Sequence, residues 1–352
     1  MEVKEKYIHT RNYGCRIRRY VQNGIEMASM ENQKIKVVFA LDKGADIVEF
    51  TYKPMDVDLM WHSFNELKNI RHISTKASEG GNFLDSYGGG WQELFPTYGG
   101  PADFHGGEIG IHGEACLYPW ECETVEDTPE CVSLKLSLRT IRTPFLLEKT
   151  VTLRENSAVL EMKQKITNLG AVEQQFMWGH HPAFGWPFID EHTRLYVKGA
   201  PTVTVPQSHI AQRCPFNKET SGKWPFLPAE NGMLDMSRAY AHEERMYMEY
   251  SLSDLEEGAY ELVNERLGLG FRMRWDLSRF RYLWIWGMYC GHEDYPWYGR
   301  AYTMAVEPWS SLAGDFQEAC EKKETLCLGA GESMETELAA EIFCRDGDGK
   351  ER

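Results

Sequence analysis

The sequence predicts an all-β protein built as a large antiparallel sandwich. Apolar and polar residues alternate with a period of two in many short runs. Clusters of turn-forming residues separate these runs, and helix signals are few. Strands this numerous, at this spacing, are typical of antiparallel sandwiches and barrels rather than of folds that alternate strands with helices.

The clearest alternation lies between residues 132 and 138. Val132, Leu134, Leu136 and Leu138 would face the core, and the polar residues between them would face the other way, as in a half-buried strand. Similar runs predict strands at 151–153, 159–166, 246–250, 260–263, 271–275 and 282–286. Turns are predicted at 154–157, 168–170 and 264–268, where Asn, Ser and Gly interrupt the pattern.

A single helix is predicted, between residues 310 and 322. Ser310 or Ser311 would cap it, and Leu312, Phe316 and Ala319 would form its buried stripe. No low-complexity linker, repeat or break in composition divides the chain. We therefore expect one domain over residues 1–344, followed by a charged, disordered tail at 345–352.

Composition narrows the class of protein. Of 352 residues, 42% are hydrophobic and 26% are charged, which is ordinary for a globular chain. The 53 acidic and 38 basic residues leave a net charge of −15, which disfavours nucleic acid and anionic membrane surfaces as partners. No stretch is apolar enough to span a membrane, and the charged first six residues do not resemble a signal peptide. Nine scattered cysteines without CxxC pairs indicate reduced thiols, so we expect a cytoplasmic protein.

Three segments concentrate residues that can carry chemistry. The first reads GGGWQELFPTYGG at 88–100, then GIHGE at 110–114 and PWE at 119–121; the others are HHPAF at 180–184 and VEP at 306–308. Together they supply two histidine positions, a late carboxylate and several tryptophans. These are the groups needed to bind a sugar and to move protons on and off its ring.

The histidines differ in what their surroundings allow. His112 precedes a glycine, which leaves open space beside the imidazole. His180 and His181 close a strand predicted at 174–178, and adjacent side chains of a strand point to opposite faces. Only one of the two can readily enter a shared pocket. A packing role for His180 is as well supported as a pocket role.

Glu307 follows an apolar strand predicted at 301–306. Burial at this position would raise the pKa of its carboxyl group, which suits a general base working near neutral pH. Tryptophans within or beside the three segments could stack on the C–H faces of a sugar, although core packing would explain at least half of them. They are Trp91, Trp120, Trp178, Trp186, Trp297 and Trp309.

These segments, in this order, resemble the aldose 1-epimerase (galactose mutarotase-like) family from about residue 88 to LGAGES at 328–333. The resemblance implies a β-supersandwich and an isomerase of carbohydrate metabolism that acts at C1 of an aldose without a cofactor or metal. It implies that Glu307 is the general base, that His181 is the general acid, and that His112 positions the sugar. We expect Trp91, His112, His181 and Glu307 to meet in one cleft, with His181 and Glu307 within about 12 Å of each other.

Two departures from the family pattern affect the expected ligand. The family carries an arginine in the glycine-rich segment, where this chain has Gln92 between Trp91 and Glu93. A glutamine can bond a hydroxyl group but supplies no positive charge, so we expect a non-phosphorylated aldose or glycoside. The family's hydroxyl-binding aspartate has no clear counterpart, and Asp235 is the candidate. The remaining predicted sugar-binding residues are His180, Trp120 and Trp309.

Two other functions remain open at this stage. A carbohydrate-binding protein could keep the pocket and lack turnover, although binding alone does not need an acid opposite a base. A metal-dependent sugar isomerase could use His105, His112, His181 and a carboxylate, although no compact ligand motif supports it. We expect a monomer or a homodimer in either case.

Overall fold

A computed structural model of the chain describes residues 11–69, 81–230, 232–346 and Glu351. Nearly all of its regular structure is strand, which confirms the all-β prediction. The strands are β1 (Arg16–Gln22), β2 (Ile25–Glu31), β3 (Ile35–Ala40), β4 (Asp46–Tyr52), β5 (Val57–Asp58), β6 (Trp91–Leu94), β7 (Ala102–Phe104), β8 (Gly107–Ile109), β9 (Glu121–Asp127), β10 (Cys131–Arg139), β11 (Phe145–Arg154), β12 (Val159–Asn168), β13 (Gln174–Phe176), β14 (Gly179–Phe184), β15 (Thr193–Tyr196), β16 (Thr202–Val205), β17 (Thr220–Lys223), β18 (Phe226–Ala229), β19 (Gly232–Asp235), β20 (Met246–Ser253), β21 (Ala259–Asn264), β22 (Leu269–Trp275), β23 (Tyr282–Tyr289), β24 (Tyr302–Trp309), β25 (Leu326–Leu328) and β26 (Ser333–Cys344). The helices are α1 (Gly81–Ser86) and α2 (Phe316–Lys322).

Two large antiparallel sheets form the body of the molecule. The first has twelve strands in the order β1-β2-β3-β4-β6-β14-β24-β23-β20-β16-β17, with β5 paired to β4. The second has eight strands in the order β15-β21-β22-β26-β12-β11-β10-β9. Three two-stranded sheets, β13-β25, β18-β19 and β7-β8, complete the fold.

The two large sheets pack face to face through apolar side chains. Phe271 of β22 contacts Phe50, Trp91 and Phe184, which lie on three strands of the twelve-stranded sheet. Aromatic rings of this size dominate the burial that holds two sheets together. The predicted alternation is confirmed in β10, where the four apolar residues at 132, 134, 136 and 138 are buried.

The other predicted strands are also confirmed. Residues 151–153, 159–166, 246–250, 260–263, 271–275 and 282–286 lie in β11, β12, β20, β21, β22 and β23, respectively. The predicted turns follow β11, β12 and β21. Both patterns depend on local sequence, because side-chain alternation and turn chemistry need no knowledge of the rest of the fold.

The predicted helix begins later than expected. It starts at Phe316, and its cap is Asp315, whose carboxylate accepts a 2.8 Å hydrogen bond from the Glu318 amide. Ser310 and Ser311 do not cap it, because their hydroxyl groups bond elsewhere. Ser310 accepts a hydrogen bond from the backbone amide of Trp178, and Ser311 donates one to Glu324.

Two predicted strand boundaries were also wrong, and both corrections affect the site. The strand predicted at 174–178 ends at Phe176 and pairs with β25, after which a new strand, β14, carries His180 and His181 in its interior. The strand predicted at 301–306 continues to Trp309, so Glu307 lies within β24 rather than at its end. Side chains inside central strands are held more firmly than side chains at strand ends.

The chain ends are described only in part. Residues 1–10, 347–350 and 352, which include most of the predicted tail, lie outside the described residues. Within the described residues, Arg345 and Glu351 form an isolated antiparallel bridge, and the Arg345 guanidinium donates to Glu261. All nine cysteines are free thiols. Neither helix in the described part of the chain is long and apolar enough to cross a membrane.

Candidate functional site

A cavity of about 490 Å³ opens on one face of the twelve-stranded sheet. Strand register explains which side chains reach it. Across β20, β23 and β24, Glu249 pairs with Trp286 and Trp284 pairs with Glu307, so all four side chains share a face. Between β14 and β24, the pairs Gly179–Trp309 and Ala183–Ala305 place His181 opposite Glu307.

The cavity wall combines histidines, carboxylates and aromatic rings. The lining residues with such side chains are Phe83, Tyr87, Tyr98, His112, His181, His209, Tyr247, Glu249, Trp286, His292, Trp297, Glu307, Asp315 and Glu318. Depressions of about 590 and 770 Å³ lie on the eight-stranded sheet and are lined by strand residues such as Arg274. Among the residues described around them there is no histidine, so the smaller cavity is the one equipped for proton transfer.

His181 and Glu307 form the centre of the cavity floor. The Nε2 atom of His181 lies 3.5 Å from Oε1 of Glu307. Both side chains are nearly fully buried. The other carboxylate oxygen of Glu307, Oε2, accepts a 3.1 Å hydrogen bond from the Trp309 indole. The indole leaves Oε1 directed at the imidazole, so the two groups can exchange a proton with each other or with one ligand.

Burial shifts both groups towards their neutral forms. It raises the pKa of Glu307 well above the usual glutamate value, and the hydrogen bond from Trp309 offsets only part of that shift. Burial lowers the pKa of His181 to about 4, against small raising effects from its own backbone and from Glu249. At neutral pH His181 is therefore neutral, and burial favours the protonated form of Glu307, so that the pair can share one transferable proton.

His112 enters the cavity from a tight loop after β8. Its backbone has a φ of +64°, and the next residue, Gly113, lies so close to Phe95 that a Cβ atom there would sit 2.2 Å from the Phe95 carbonyl oxygen. The imidazole lies 5.8 Å from the ring of His181, and its buried Nδ1 atom has no hydrogen-bond partner among the described residues. A buried polar atom left unpaired costs free energy, so a ligand that bonded it would be favoured.

A second carboxylate, Glu249, is held in its ionised form. His209 lies 3.1 Å from it, and the Tyr247 and Tyr98 hydroxyl groups donate to it at 2.6 Å and 3.3 Å. Burial alone would raise the pKa of Glu249, but these partners outweigh burial and lower it. The same pairing raises the pKa of His209, although burial opposes it. Glu249 is therefore held in its charged form, whereas burial favours the neutral form of Glu307.

Aromatic rings form the remaining wall. Trp286 and Trp297 lie 5.2 Å apart, and Trp286 also lies 5.6 Å from the His181 ring. Tyr87 stacks on Phe83 at 4.9 Å beside them. Flat apolar faces next to charged and polar edges are what a pyranose ring needs for stacking and for hydroxyl recognition.

Three of the four residues expected to converge do so: His112, His181 and Glu307 line the cavity. Trp91 does not, which corrects that prediction. It lies between the sheets, where its indole donates a 3.1 Å hydrogen bond to Nδ1 of His180. His180 is also excluded from the cavity, because it points to the opposite face from His181 and its Nε2 atom bonds Gln164 at 3.0 Å.

The other predicted sugar-binding residues lie outside the cavity lining as well. Gln92 shares the face of His181, but its amide donates to Asp46 and to the Gly89 carbonyl. Trp120 bonds the Ala115 carbonyl and lies under Lys149. Trp309 supports Glu307 from beneath. Asp235 lies in the β18–β19 hairpin, bound to Arg194 and Ser237. His105, considered as a metal ligand, is exposed in the β7–β8 turn.

Sequence reasoning missed Glu249, His209 and Trp286. A usable signal existed for the first: Glu249 is the only charged residue in β20, a strand with apolar residues on both sides of it. Trp286 shares the face of Glu307 through the β23–β24 register, which sequence alone does not give. Of the six tryptophans near the motifs, Trp297 alone lines the cavity. Within the described residues, no group of three or more His, Cys, Asp or Glu side chains is arranged to hold a metal ion.

Comparison with known proteins begins with a family match. The family described as "Domain of unknown function (DUF4432)" matches residues 22–342. No curated protein matches the chain.

Solved structures share the fold at low sequence identity. A candidate aldose 1-epimerase from Klebsiella pneumoniae aligns with a TM-score of 0.71 and 15% identity, covering 94% of this chain and 84% of its own. A galactose mutarotase-like protein from Clostridium acetobutylicum aligns with a TM-score of 0.62 and 16% identity, covering 94% and 98%. One from Lactobacillus casei aligns with a TM-score of 0.61 and 19% identity, covering 90% and 99%. The fold is therefore the galactose mutarotase-like β-supersandwich, as predicted.

Proposed function

We propose that this protein, which belongs to the DUF4432 family, is an isomerase that binds a free aldose and interconverts its α and β anomers at C1. One observation carries the proposal: the imidazole of His181 and the carboxyl group of Glu307 lie 3.5 Å apart on the floor of a cavity walled by aromatic rings. The mutarotase-like fold of the solved relatives agrees with it.

The adjacency of the pair suits the chemistry of a hemiacetal. The C1 hydroxyl oxygen and the ring oxygen are bonded to the same carbon, so two side chains in contact can reach both. Glu307 takes the proton from the C1 hydroxyl while the bond between C1 and the ring oxygen breaks. The electron pair of that bond moves to the ring oxygen, which takes a proton from Nε2 of His181. Rotation about C1–C2 and reversal of both transfers yield the other anomer.

The pair needs no outside proton for this cycle. A neutral carboxyl group beside a neutral imidazole, and a carboxylate beside an imidazolium, contain the same number of protons. Transfer of one proton from Glu307 to His181 therefore prepares the base and the acid together. Donors and acceptors of a bound sugar can stabilise that charged arrangement in place of water.

The other cavity groups support sugar binding. Glu249 is charged and presents acceptor oxygens to hydroxyl groups, which makes it a better candidate than Asp235 for the hydroxyl-binding carboxylate. Trp286 and Trp297 offer stacking faces, and Nδ1 of His112 has no hydrogen-bond partner in the part of the chain that the structure describes. Among the described residues around the cavity there is no lysine or arginine, which favours a sugar without phosphate.

A non-catalytic carbohydrate-binding protein of the same fold is the second candidate. The observation that favours it is the shift of both central groups towards their neutral forms, because a prepared base and acid would be a carboxylate and an imidazolium. Polarimetry distinguishes the two functions. A panel of freshly dissolved, single-anomer aldoses should reach rotational equilibrium faster with the protein than in buffer alone. Binding of a sugar that equilibrates no faster than in buffer would favour the second candidate.

The pH dependence of the rate follows from the two shifted groups. Below about pH 4, His181 gains a second proton and the pair holds two, so no base remains. Above the raised pKa of Glu307, the pair holds none and no acid remains. We expect a bell-shaped profile of the catalysed rate with its acid limb near pH 4 and its alkaline limb well above an ordinary glutamate pKa. An acid limb near pH 6.5, typical of an exposed histidine, would contradict this assignment.

Glu249 should act in binding rather than in proton transfer. In Glu249→Gln, the side chain keeps its size and loses its charge, so we expect KM to rise about tenfold while kcat changes little, because a hydrogen bond to a charged group contributes about 1.5–3 kcal/mol. Steady-state polarimetry gives both constants. Asp235→Asn is the matched control and should leave both unchanged. A larger fall in kcat than rise in KM for Glu249→Gln would show that this carboxylate takes part in the chemical step.

A further inference from the structure

Tyr87 is a buried cavity residue to which the catalytic scheme above gives no role. Tyr87 directly follows α1, and the residue is 1% exposed. The ring stacks on Phe83 at 4.9 Å and meets the edge of Trp61 at 5.6 Å, so its position is fixed by packing on two sides. Its hydroxyl group has a single side-chain partner within the described residues, Nδ1 of His181, at 3.4 Å.

His181 therefore has a different neighbour at each ring nitrogen. Tyr87 faces Nδ1, and Glu307 faces Nε2. The other titratable groups near the imidazole are His112, whose ring is 5.8 Å away, and Glu249, which acts at longer range. Neither of these bonds a ring nitrogen. The two tautomers of a neutral histidine differ in which nitrogen carries the proton, so the partner of one nitrogen decides the state of the other.

The proton transfer proposed above uses Nε2, which must accept and release a proton while Nδ1 keeps its own. The Tyr87 oxygen can accept a hydrogen bond from Nδ1–H. A hydrogen bond with the His181 backbone also raises the pKa of the ring and so favours its protonated form. The phenol stays neutral throughout, because burial raises the pKa of Tyr87 well above 10. A neutral, immobile acceptor at Nδ1 leaves Nε2 as the exchanging nitrogen.

We propose that Tyr87 is a positioning residue that holds the proton on Nδ1 of His181 and keeps Nε2 turned towards Glu307. This role rests on the proposed function for its effect on rate, but the tautomer of His181 is a property of the protein alone. The hydroxyl group of Tyr87 acts through the imidazole, as does the residue that orients a catalytic histidine in other acid–base sites.

The test compares Tyr87→Phe with wild type and with a matched control. Tyr260→Phe also removes one buried hydroxyl group, but that group lies outside the cavity lining and has no hydrogen-bond partner among the described residues. Nitrogen-15 NMR of the histidine rings, assigned with His181→Asn, reports the tautomer. We expect Nδ1 of His181 to carry the proton in wild type and in Tyr260→Phe, and both tautomers to be populated in Tyr87→Phe.

Kinetics provide the second readout. We expect kcat of Tyr87→Phe to fall about tenfold with KM within about twofold of wild type, by analogy with the partners that orient metal-bound histidines, whose loss typically costs about 10–100-fold. The acid limb of its pH profile should also move to lower pH, because the imidazolium loses an acceptor. If Tyr260→Phe lost kcat and thermal stability to the same extent as Tyr87→Phe, the effect would be one of general packing, and the assignment would be overturned.

The two proposals fail in different ways. If no aldose equilibrates faster with wild-type protein than in buffer, the proposed function fails, and the NMR comparison still decides the role of Tyr87. If wild type is active but Tyr87→Phe keeps both the wild-type tautomer and the wild-type kcat, the role of Tyr87 is wrong and the proposed function stands. A proton on Nε2 in wild type would also overturn it.

Discussion

Glu307→Gln is expected to lower the rate of anomer interconversion at least about a hundredfold, because a general acid–base group typically contributes about 10²–10⁴-fold. Glutamine keeps the size of the side chain and can still accept the hydrogen bond from the Trp309 indole. It cannot take or give the proton. The loss falls on the transition state, so sugar affinity should change far less than the rate.

The measurement is the rate of approach to equilibrium by polarimetry, corrected for the spontaneous reaction, together with a binding isotherm. Glu335→Gln is a suitable control, since that side chain is 75% exposed on β26, away from the cavity. Unchanged activity in Glu307→Gln, on a sugar that wild type turns over, would mean that Glu307 is not the base. If circular dichroism shows a parallel loss of folding, Glu307→Asp is the second variant: it keeps the charge but moves the carboxylate by one methylene group, and it should also lower the rate more than the affinity.

The second large effect is expected for His181→Asn. Asparagine can keep a hydrogen bond to the ligand but cannot exchange a proton near neutral pH, so the rate should fall at least about a hundredfold. Affinity should again change less than rate. The pH profile is the sharper readout, because the acid limb near pH 4 belongs to His181 and should disappear from any residual activity.

His112 provides a contrast within the same cavity. His112→Asn should weaken binding as well as rate, because we propose that His112 positions the sugar rather than transfers a proton. His192→Asn, at a half-exposed histidine outside the cavity, is the control and should behave as wild type. If His112→Asn lowered kcat as much as His181→Asn with no change in affinity, the two histidines would need to exchange roles.

The fold was largely predictable because its signals are local. The alternation in β10 and the turns after β11, β12 and β21 are set by neighbouring residues, and the structure has all of them. The start of α2 was not predictable in the same way. Ser310 and Ser311 have the right chemistry for a cap, but their hydroxyl groups form hydrogen bonds with Trp178 and Glu324, which are distant in sequence or outside the first turn of the helix.

The site was predictable only in part, for a related reason. His112, His181 and Glu307 fall in motifs that can be read along the chain. Strand alternation indicates that only one of His180 and His181 can enter the cavity, and the resemblance to the mutarotase-like family selects His181. Glu249 and Trp286 reach the cavity through pairing among β20, β23 and β24. Conversely, Trp91 and Gln92 lie in a motif, but their side chains donate hydrogen bonds to the buried residues His180 and Asp46. A linear sequence does not show which partner a polar side chain will bond.

The central claim is that the cavity turns over a sugar rather than only binding it. Nuclear magnetic resonance on an equilibrated mixture of anomers measures both properties in one sample, since saturation transferred from the protein reports binding and magnetisation exchanged between the two C1 protons reports turnover. For at least one free, non-phosphorylated aldose, we predict anomer exchange that depends on wild-type protein and is absent with Glu307→Gln, while binding persists in both. Binding without any protein-dependent exchange across the whole panel would contradict the claim and identify the protein as a carbohydrate-binding module.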